Sequence, residues 1–577
     1  MTPTPDQSQP GFGNWLSEPM RANRSVYVRV ALAAALISLF GIVTSLFTMT
    51  VYDRVIPNNA TQSLIALTIG LGIVIIFDFV LRTLRAYFMD IAGASIDQDV
   101  GEGVFAKLLA FRLDAMTGST GGLASLMREL ETLRDFFASV TLTAIVDVPF
   151  ILLTLIVIAV IGGAVVFVPL LMIPLVVAAA LFTQPALDRL AGQSMTQAMQ
   201  KQAVLVETIG GLETIKATGA TRLVSGRWTA AMAQHSDVSL RQRLVSSISV
   251  NVAVIANTIS YAGVVIVGVG MIATGDLTTG GLIACSILAG RAVAPLGQIA
   301  QLLSRLNQTR TAYRQINMMM MAPAEGEATT PLVLAKVEGR IEFRSVDFRY
   351  PGQSEKALSG VSFTVNRGER VALLGRVGSG KSTIARLILG LYPPEDGLVL
   401  LDGTDLHQFD LGKMRQHYGV ALQDNLLLSG TIRDNIRLDR DDIDDDELLR
   451  VARLSGTHDF IGRIANGYDL RLADRGESLS GGQRQAIALA RALAGRPPVL
   501  IFDEPTSAMD AQTEANLLTQ LDAETKGRTL ILITHRPTML KLVERVILLD
   551  QGRVVADGAR DKVLGKADGQ PAGGQSR

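Results

Sequence analysis

A chain of 577 residues is too long for one hydrophobic core, so two or three domains are expected. Lys plus Arg equals Asp plus Glu at 54 each, and no global basic field argues for nucleic acid as a partner. A mean hydropathy of +0.31 with only 19% charged residues, and apolar residues crowded into the first half, argues for membrane spans. The single cysteine, Cys285, excludes a disulfide framework or a thiolate metal cluster within one chain; in its apolar stretch it reads as a small buried hydrophobe.

Residues 1–29 are polar and rich in Pro, Gly, Ser and Gln, which reads as a flexible cytoplasmic segment and not as a secretory signal. Val30 to Tyr52 carries no charge and is long enough to span, and Arg21, Arg24 and Arg29 before it place the N-terminus in the cytoplasm. Val55 to Phe77 begins at a Pro57-Asn58-Asn59 turn and returns the chain to Asp78, Arg82 and Arg85. Asp78 and Arg82 are spaced for a local ion pair on one helix face, a reading preferred to a proton relay. Val148 to Leu187 is uncharged over twice the length one helix needs, and Gly162-Gly163 supplies the turn of a helical hairpin. Ser246 to Thr274 and Leu277 to Ala300 complete six spans, with Gly275-Asp276 at the outer face and both termini inside. The polar loops at 82–137 and 188–243 carry recurring Leu, Met, Val and Ala, and read as helices continuing beyond the bilayer by about 40 Å. Asp147 and Arg291 are the other charges near membrane depth. For Arg291, an aqueous cavity and an interhelical ion pair or snorkelling are equally good readings. Met318 to Met321 read as helix-end packing, and Ala322-Pro323-Ala324-Glu325-Gly326-Glu327 as a linker. The expected domains are therefore 30–317 in the membrane, a linker over 318–339, an α/β domain over 340–562 and a disordered tail over 563–577.

The α/β domain carries the chemistry. Gly375-Arg376-Val377-Gly378-Ser379-Gly380-Lys381-Ser382-Thr383 lies between the apolar run Val371 to Leu374 and a helix starting near Lys381. Glycines there let backbone N–H groups approach β- and γ-phosphates, Lys381 adds a point charge, and the Ser382 hydroxyl suits Mg²⁺. Val499 to Phe502 is a buried-strand run ending in Asp503-Glu504, which suit the Mg²⁺ sphere and a general base for the attacking water. Leu479-Ser480-Gly481-Gly482-Gln483 opens a helix, which makes either a second anion site or an ordinary N-cap.

Taken together these stretches resemble the ATP-binding cassette family, whose signature motif is the Leu479 to Gln483 stretch. The resemblance implies that the signature of one subunit covers the γ-phosphate held by the cradle of the other. It also implies that Tyr350 stacks on adenine, that Gln423 touches Mg²⁺ and the water, that Ser507 to Asp510 is exchanged across the dimer, and that His535 contacts the γ-phosphate. The fold class it implies is a membrane all-α six-helix transmembrane domain of the type I ABC exporter kind, fused to a cytoplasmic α/β P-loop ATPase domain, with ATP and Mg²⁺ bound and a homodimer as the working unit. Thr48 to Asn59, the Arg376-Val377 variant of the cradle and Arg475-Gly476-Glu477-Ser478 are similar to type I secretion exporters. That narrower resemblance implies an inner-membrane exporter of unfolded protein, of the RTX toxin, protease or adhesin type, working with a periplasmic adaptor and an outer-membrane channel. An exporter of lipids, drugs or peptides is the alternative, and a gated channel or regulatory subunit is disfavoured because no catalytic position looks degenerate. Leader cleavage by this chain is not expected, since fewer than thirty residues precede the first span and Cys285 lies within one.

Overall fold

The computed structural model describes residues 14–115, 127, 129–133, 136, 141–325, 332, 336–464, 466–472 and 475–567. They divide into two compact units, one built from residues 1–109 and 117–322 and the other from 110–116 and 323–577.

The first unit is helical. It contains α1 (Asn14–Ala22), α2 (Arg24–Thr50), α3 (Thr61–Leu109), α4 (Thr141–Gly162), α5 (Phe167–Gly210), the short α6 (Leu212–Thr218), α7 (Thr221–Thr274) and α8 (Thr279–Met320). By length and composition, five helical stretches among the described residues can cross a membrane. One of them, 148–210, is interrupted by a 3-10 turn over Gly163–Val166, where Gly163 takes φ +51 and lets the chain reverse. The expected hairpin hinge therefore falls on the glycine pair, and the five stretches resolve into six rods. The apolar window of α3 has none of its residues buried within the chain, so lipid or another subunit must cover it.

α8 is the helix the others pack around; it touches α2, α4, α5 and α7. Its buried stripe is Ala284, Cys285, Leu288, Ala289, Ala292 and Val293, a repeat of three and four whose small members let neighbouring backbones come close. Cys285 is fully buried, and a Cβ added to Gly162 would sit 2.7 Å from its Sγ. Polar bonds fix the register of these contacts. Thr183 and Ser249 hydroxyls are 2.6 Å apart, and Asn307 Nδ2 donates to Gln184 Oε1 at 2.6 Å. The Asp78–Arg82 ion pair forms, at 2.7 Å. Arg291 packs its guanidinium against Gly41 of α2, where a methyl group would overlap it. The side chain of Asp147 falls outside the described residues.

Two further features tie α8 down. After α2 the helix widens over Val51–Val55, and Asp53 in that wide turn reaches the start of α8. Its Oδ2 accepts from the Thr278 hydroxyl at 2.6 Å and its Oδ1 from the Gly280 N–H at 2.8 Å, while Thr278 itself caps Gly281 N–H at 3.0 Å. One carboxylate thus satisfies two groups at a helix N-terminus, where unpaired donors and the helix dipole favour negative charge. At the other end, Trp15 of α1 stacks on Tyr313 with centroids 5.6 Å apart and donates Nε1–H to Asn317 Oδ1 at 3.1 Å. Leu16 is buried beside it, and Asn23 just after α1 donates to Ser95 of α3.

The second unit is built on two main sheets. β1 (Ile341–Phe348), β2 (Leu358–Val365), β4 (Asp396–Leu401) and β5 (Thr404–Asp405) form an antiparallel sheet in the order β2-β1-β4-β5. The other sheet has the order β12-β11-β3-β10-β9-β6 and contains β3 (Arg370–Gly375), β6 (Tyr418–Ala421), β9 (Val499–Asp503), β10 (Thr529–Ile533), β11 (Arg545–Asp550) and β12 (Arg553–Ala559); β7 (Gly430–Thr431) and β8 (Arg471–Leu472) make a small ribbon. β9 and β10 are buried at every position, as strands covered on both faces must be. Alternate residues of β9 enter different cores: Leu500 and Phe502 pack with Ile487 and Leu493, and Val499 and Ile501 with Ile384 and Leu387. Residues 110–116 belong to this unit through Phe111, which bridges Ala324, and through the Glu325 N–H, which donates to the Ala110 carbonyl at 2.7 Å.

Candidate nucleotide site

Parallel pairing places the ends of four strands along one sheet edge. Ile533 of β10 lies level with Leu373 of β3 and with Asp503 of β9, and Ala421 of β6 with Phe502 of β9. The segments leaving these strands therefore converge: the loop 375–380 after β3, Gln423 after β6, Glu504 after β9 and His535 after β10. The carboxyl edge of such a sheet is where α/β folds bind ligands.

The loop needs its glycines. Gly375, Gly378 and Gly380 have φ of +150, +82 and +100, and a Cβ on Gly380 would lie 2.9 Å from the Ala357 carbonyl. The following helix, α9 (Lys381–Ile388), starts with Gly380 as its cap and no side-chain acceptor there, so its first N–H groups stay open toward the loop. Lys381 Nζ donates to the carbonyls of Gly375 and Arg376 at 2.8 and 2.9 Å. Burial lowers the Lys381 pKa, an effect opposed by the carboxylates of Asp503 and Glu504. Ser379 Oγ is buried with no hydrogen-bond partner, and Val377 at the loop tip is 94% exposed. Residues 378–383 line a cavity of about 380 Å³ with Tyr350, Lys356 and Arg386, within the range of small-molecule sites. Glycine N–H groups, an ammonium and an orphaned hydroxyl fit a polyphosphate.

Tyr350 stands at the mouth of the cavity. It meets Phe348 and Tyr392 edge-on at 4.9 and 5.5 Å, its hydroxyl is 3.1 Å from Thr383 Oγ1, and Arg386 donates to it at 2.8 Å. The same guanidinium lies 5.7 Å over the ring.

The two acids differ. Asp503 is buried; burial raises its pKa against the pull of the Ser382 hydroxyl and of Lys381. Glu504 also has a raised pKa, first through burial, with the neighbouring His535 working against the rise. His535 Nε2 is 3.8 Å from Glu504 Oε1, an oxygen with no hydrogen bond. Glu504 holds φ +52, a left-handed conformation that costs a non-glycine residue about 1–2 kcal/mol. Its backbone is pinned on both sides: the N–H donates to the Ile533 carbonyl at 2.8 Å, and the carbonyl accepts from Gln485 Nε2 at 2.7 Å. A Ser382–Asp503 pair beside the cavity fits the oxygen-only coordination that Mg²⁺ requires.

Leu479 to Gln483 sits elsewhere. Ser480 caps α10 (Gly481–Leu493) in a reciprocal box: its Oγ accepts from the Gln483 N–H at 3.3 Å, and Gln483 Oε1 accepts from the Ser480 N–H at 2.9 Å. None of these residues lines the cavity around Lys381. Asp510 caps α11 (Ala511–Thr525), and the Thr513 N–H and hydroxyl that it accepts hold its pKa down. One chain therefore brings together the cradle, Tyr350, Asp503, Glu504 and His535, while Ser480, Gly481, Gly482 and Gln483 lie apart from that cavity. Arg386 and Gln485 were not singled out by the sequence.

Two family models match the chain, the ABC transporter model over residues 358–507 and the ABC transporter transmembrane region over residues 28–296. The chain belongs to the ABC transporter family and is an ATP-hydrolysing exporter of it. More narrowly, it is 33% identical over 557 residues to the exotoxin translocation ATP-binding protein PaxB of Pasteurella aerogenes, a match covering 96% of this chain and 78% of that protein. It is 31% identical to the toxin RTX-I translocation ATP-binding protein of Actinobacillus pleuropneumoniae, over the same shares of each chain. The structure is similar to that of a bacterial Atm1-family ABC exporter with ATP bound, with a TM-score of 0.83, 25% identity and coverage of 94% of this chain and 97% of that one. The sequence resemblance to type I secretion exporters is thus met by relatives that translocate toxins.

Proposed function

We propose that two copies of this chain form the inner-membrane ATPase of a type I secretion system, with both termini in the cytoplasm, exporting an unfolded polypeptide of the RTX type through a periplasmic adaptor and an outer-membrane channel. The observation that carries the two-copy reading is that Ser480 to Gln483 do not line the cavity formed by the cradle of their own chain. A helix N-terminus with glycine N–H groups is suited to cover a phosphate, and a second copy supplies that phosphate. The likeness to toxin translocation proteins along nearly the whole chain supports the cargo class.

In this reading Gly375 to Gly380 and Lys381 hold the β- and γ-phosphates of ATP and Tyr350 takes the adenine. Ser382, Gln423 and Asp503 would hold Mg²⁺, which would offset phosphate charge. The water oxygen attacks the γ-phosphorus, the bond to the ADP oxygen breaks, and Glu504 accepts the proton; a burial-raised pKa makes that carboxylate a stronger base. His535, beside Glu504, contacts the γ-phosphate. ATP shifts the transport cycle only because it binds two closed cassettes better than two open ones.

The test is ATPase activity of the reconstituted protein, titrated with C-terminal segments of RTX proteins and separately with lipids and hydrophobic drugs. Saturable modulation by one polypeptide segment alone is expected. A response confined to lipids or drugs overturns the cargo reading and leaves a small-molecule exporter. Glu504→Gln is expected to bind ATP and dimerise without turnover, and rapid phosphate release by it would rule out Glu504 as the base.

A further inference from the structure

Gln485 is 2% exposed on a helix whose neighbouring positions, Ala486 to Ala490, are buried and apolar. A buried amide must find partners for both its ends. This one finds all of them in the segment after β9. Nε2 donates to the Glu504 carbonyl at 2.7 Å and to Ser507 Oγ at 3.1 Å, and Oε1 accepts from the Ala508 N–H at 3.0 Å. The segment is held from its other side by Arg536, next to His535. Its guanidinium donates to the carbonyls of Ser507 and Met509 at 3.1 and 3.2 Å and pairs with Glu514.

We infer that Gln485 is a positioning residue for Glu504 and makes the aim of that carboxylate depend on where the signature helix stands. Glu504 sits at positive φ, a conformation that persists only where its surroundings over-determine it. Three bonds to its backbone do this: its N–H donates to the Ile533 carbonyl, and its carbonyl accepts from the Ser507 N–H at 3.3 Å and from Gln485. Only the bond from Gln485 comes from α10, the helix that Ser480 opens. Any shift of α10 pulls on the Glu504 carbonyl and, through Ser507 and Ala508, on the loop that leads to Asp510. A signature that closes on a phosphate in the partner copy therefore has a direct hydrogen-bonded route to the base of its own chain. This inference rests on the reading of Glu504 as the base and on the two-copy site.

The experiment compares wild type, Gln485→Leu, Gln485→Glu and Glu504→Gln in the full-length reconstituted protein, measuring kcat and KM for ATP across pH. Leucine keeps the shape and removes all three bonds. For Gln485→Leu, kcat is expected to fall by about tenfold or more with KM held within about twofold, the pattern of an interaction felt in the transition state. Gln485→Glu supplies an internal control that does not depend on leucine being tolerated. Burial raises the pKa of the introduced carboxyl, and only its protonated form can donate to the Glu504 carbonyl. The ratio of its kcat to that of wild type should thus climb as pH falls. A kcat for Gln485→Leu within about twofold of wild type overturns the inference, and so does a flat kcat ratio for Gln485→Glu across pH. Failure of the underlying reading is seen separately, as wild-type turnover by Glu504→Gln.

Discussion

At the scale of single residues, the site depends on a few side chains held in costly states. As the proposed base, Glu504 accepts a proton only as the carboxylate, and burial raises its pKa, so on that proposal activity is lost as pH falls through the raised value. The acid limb of kcat is expected to lie above the ordinary glutamate value of about 4.3, as a kcat–pH profile in detergent will show. Gly380 is the second such position. Alanine there meets the Ala357 carbonyl at 2.9 Å and must hold φ +100, so Gly380→Ala is expected to weaken ATP binding by at least about tenfold in equilibrium titration. The residues proposed to hold ATP were legible as a sequence because the cradle, the Asp503-Glu504 pair and the signature are each local runs. Arg386 on Tyr350, Gln485 on Glu504 and Arg536 on Ser507 were not, since their partners lie 36, 19 and 29 positions away and only folding brings them into contact.

Among the elements, the Asp53 contact with the start of α8 yields a sharp expectation. Asp53→Ala removes the acceptor for one hydroxyl and one helix N-terminal amide, a loss of about 1–2 kcal/mol, and should lower the thermal midpoint of the protein in detergent. Gly280→Ala should do the same by a different route, because its Cβ would lie 2.6 Å from the Asp53 carboxyl. The stretch from Thr48 to Asn59 was visible in the sequence as a family likeness, but hydropathy gave Asp53 no task beyond a charge at a span end. The six apolar runs were legible for the opposite reason: absence of charge over about 20 residues is a one-dimensional property. The flexible segment expected over 1–29 is a helix at Asn14–Ala22. The docking of its Trp15 on Tyr313 was not legible, because a stretch this short is marginal as a helix by itself and its partner lies at the far end of the unit in sequence.

For the whole molecule, a site assembled from two copies predicts complementation. A chain carrying Lys381→Ala has a sound signature and a damaged cradle, and a chain carrying Ser480→Arg has the reverse. Each alone should be inactive. Co-expressed, the mixed dimer contains one sound cradle facing one sound signature, and ATPase activity absent from both parents should return. If the mixture stays as inactive as its parents, the composite arrangement is wrong.

The Asp53 contact also limits how such a dimer can move. Parting the start of α8 from the end of α2 breaks the same two hydrogen bonds to a carboxylate, the loss of about 1–2 kcal/mol expected for Asp53→Ala. A motion that separates these two helix ends carries that cost in each copy, and a motion that keeps them together does not.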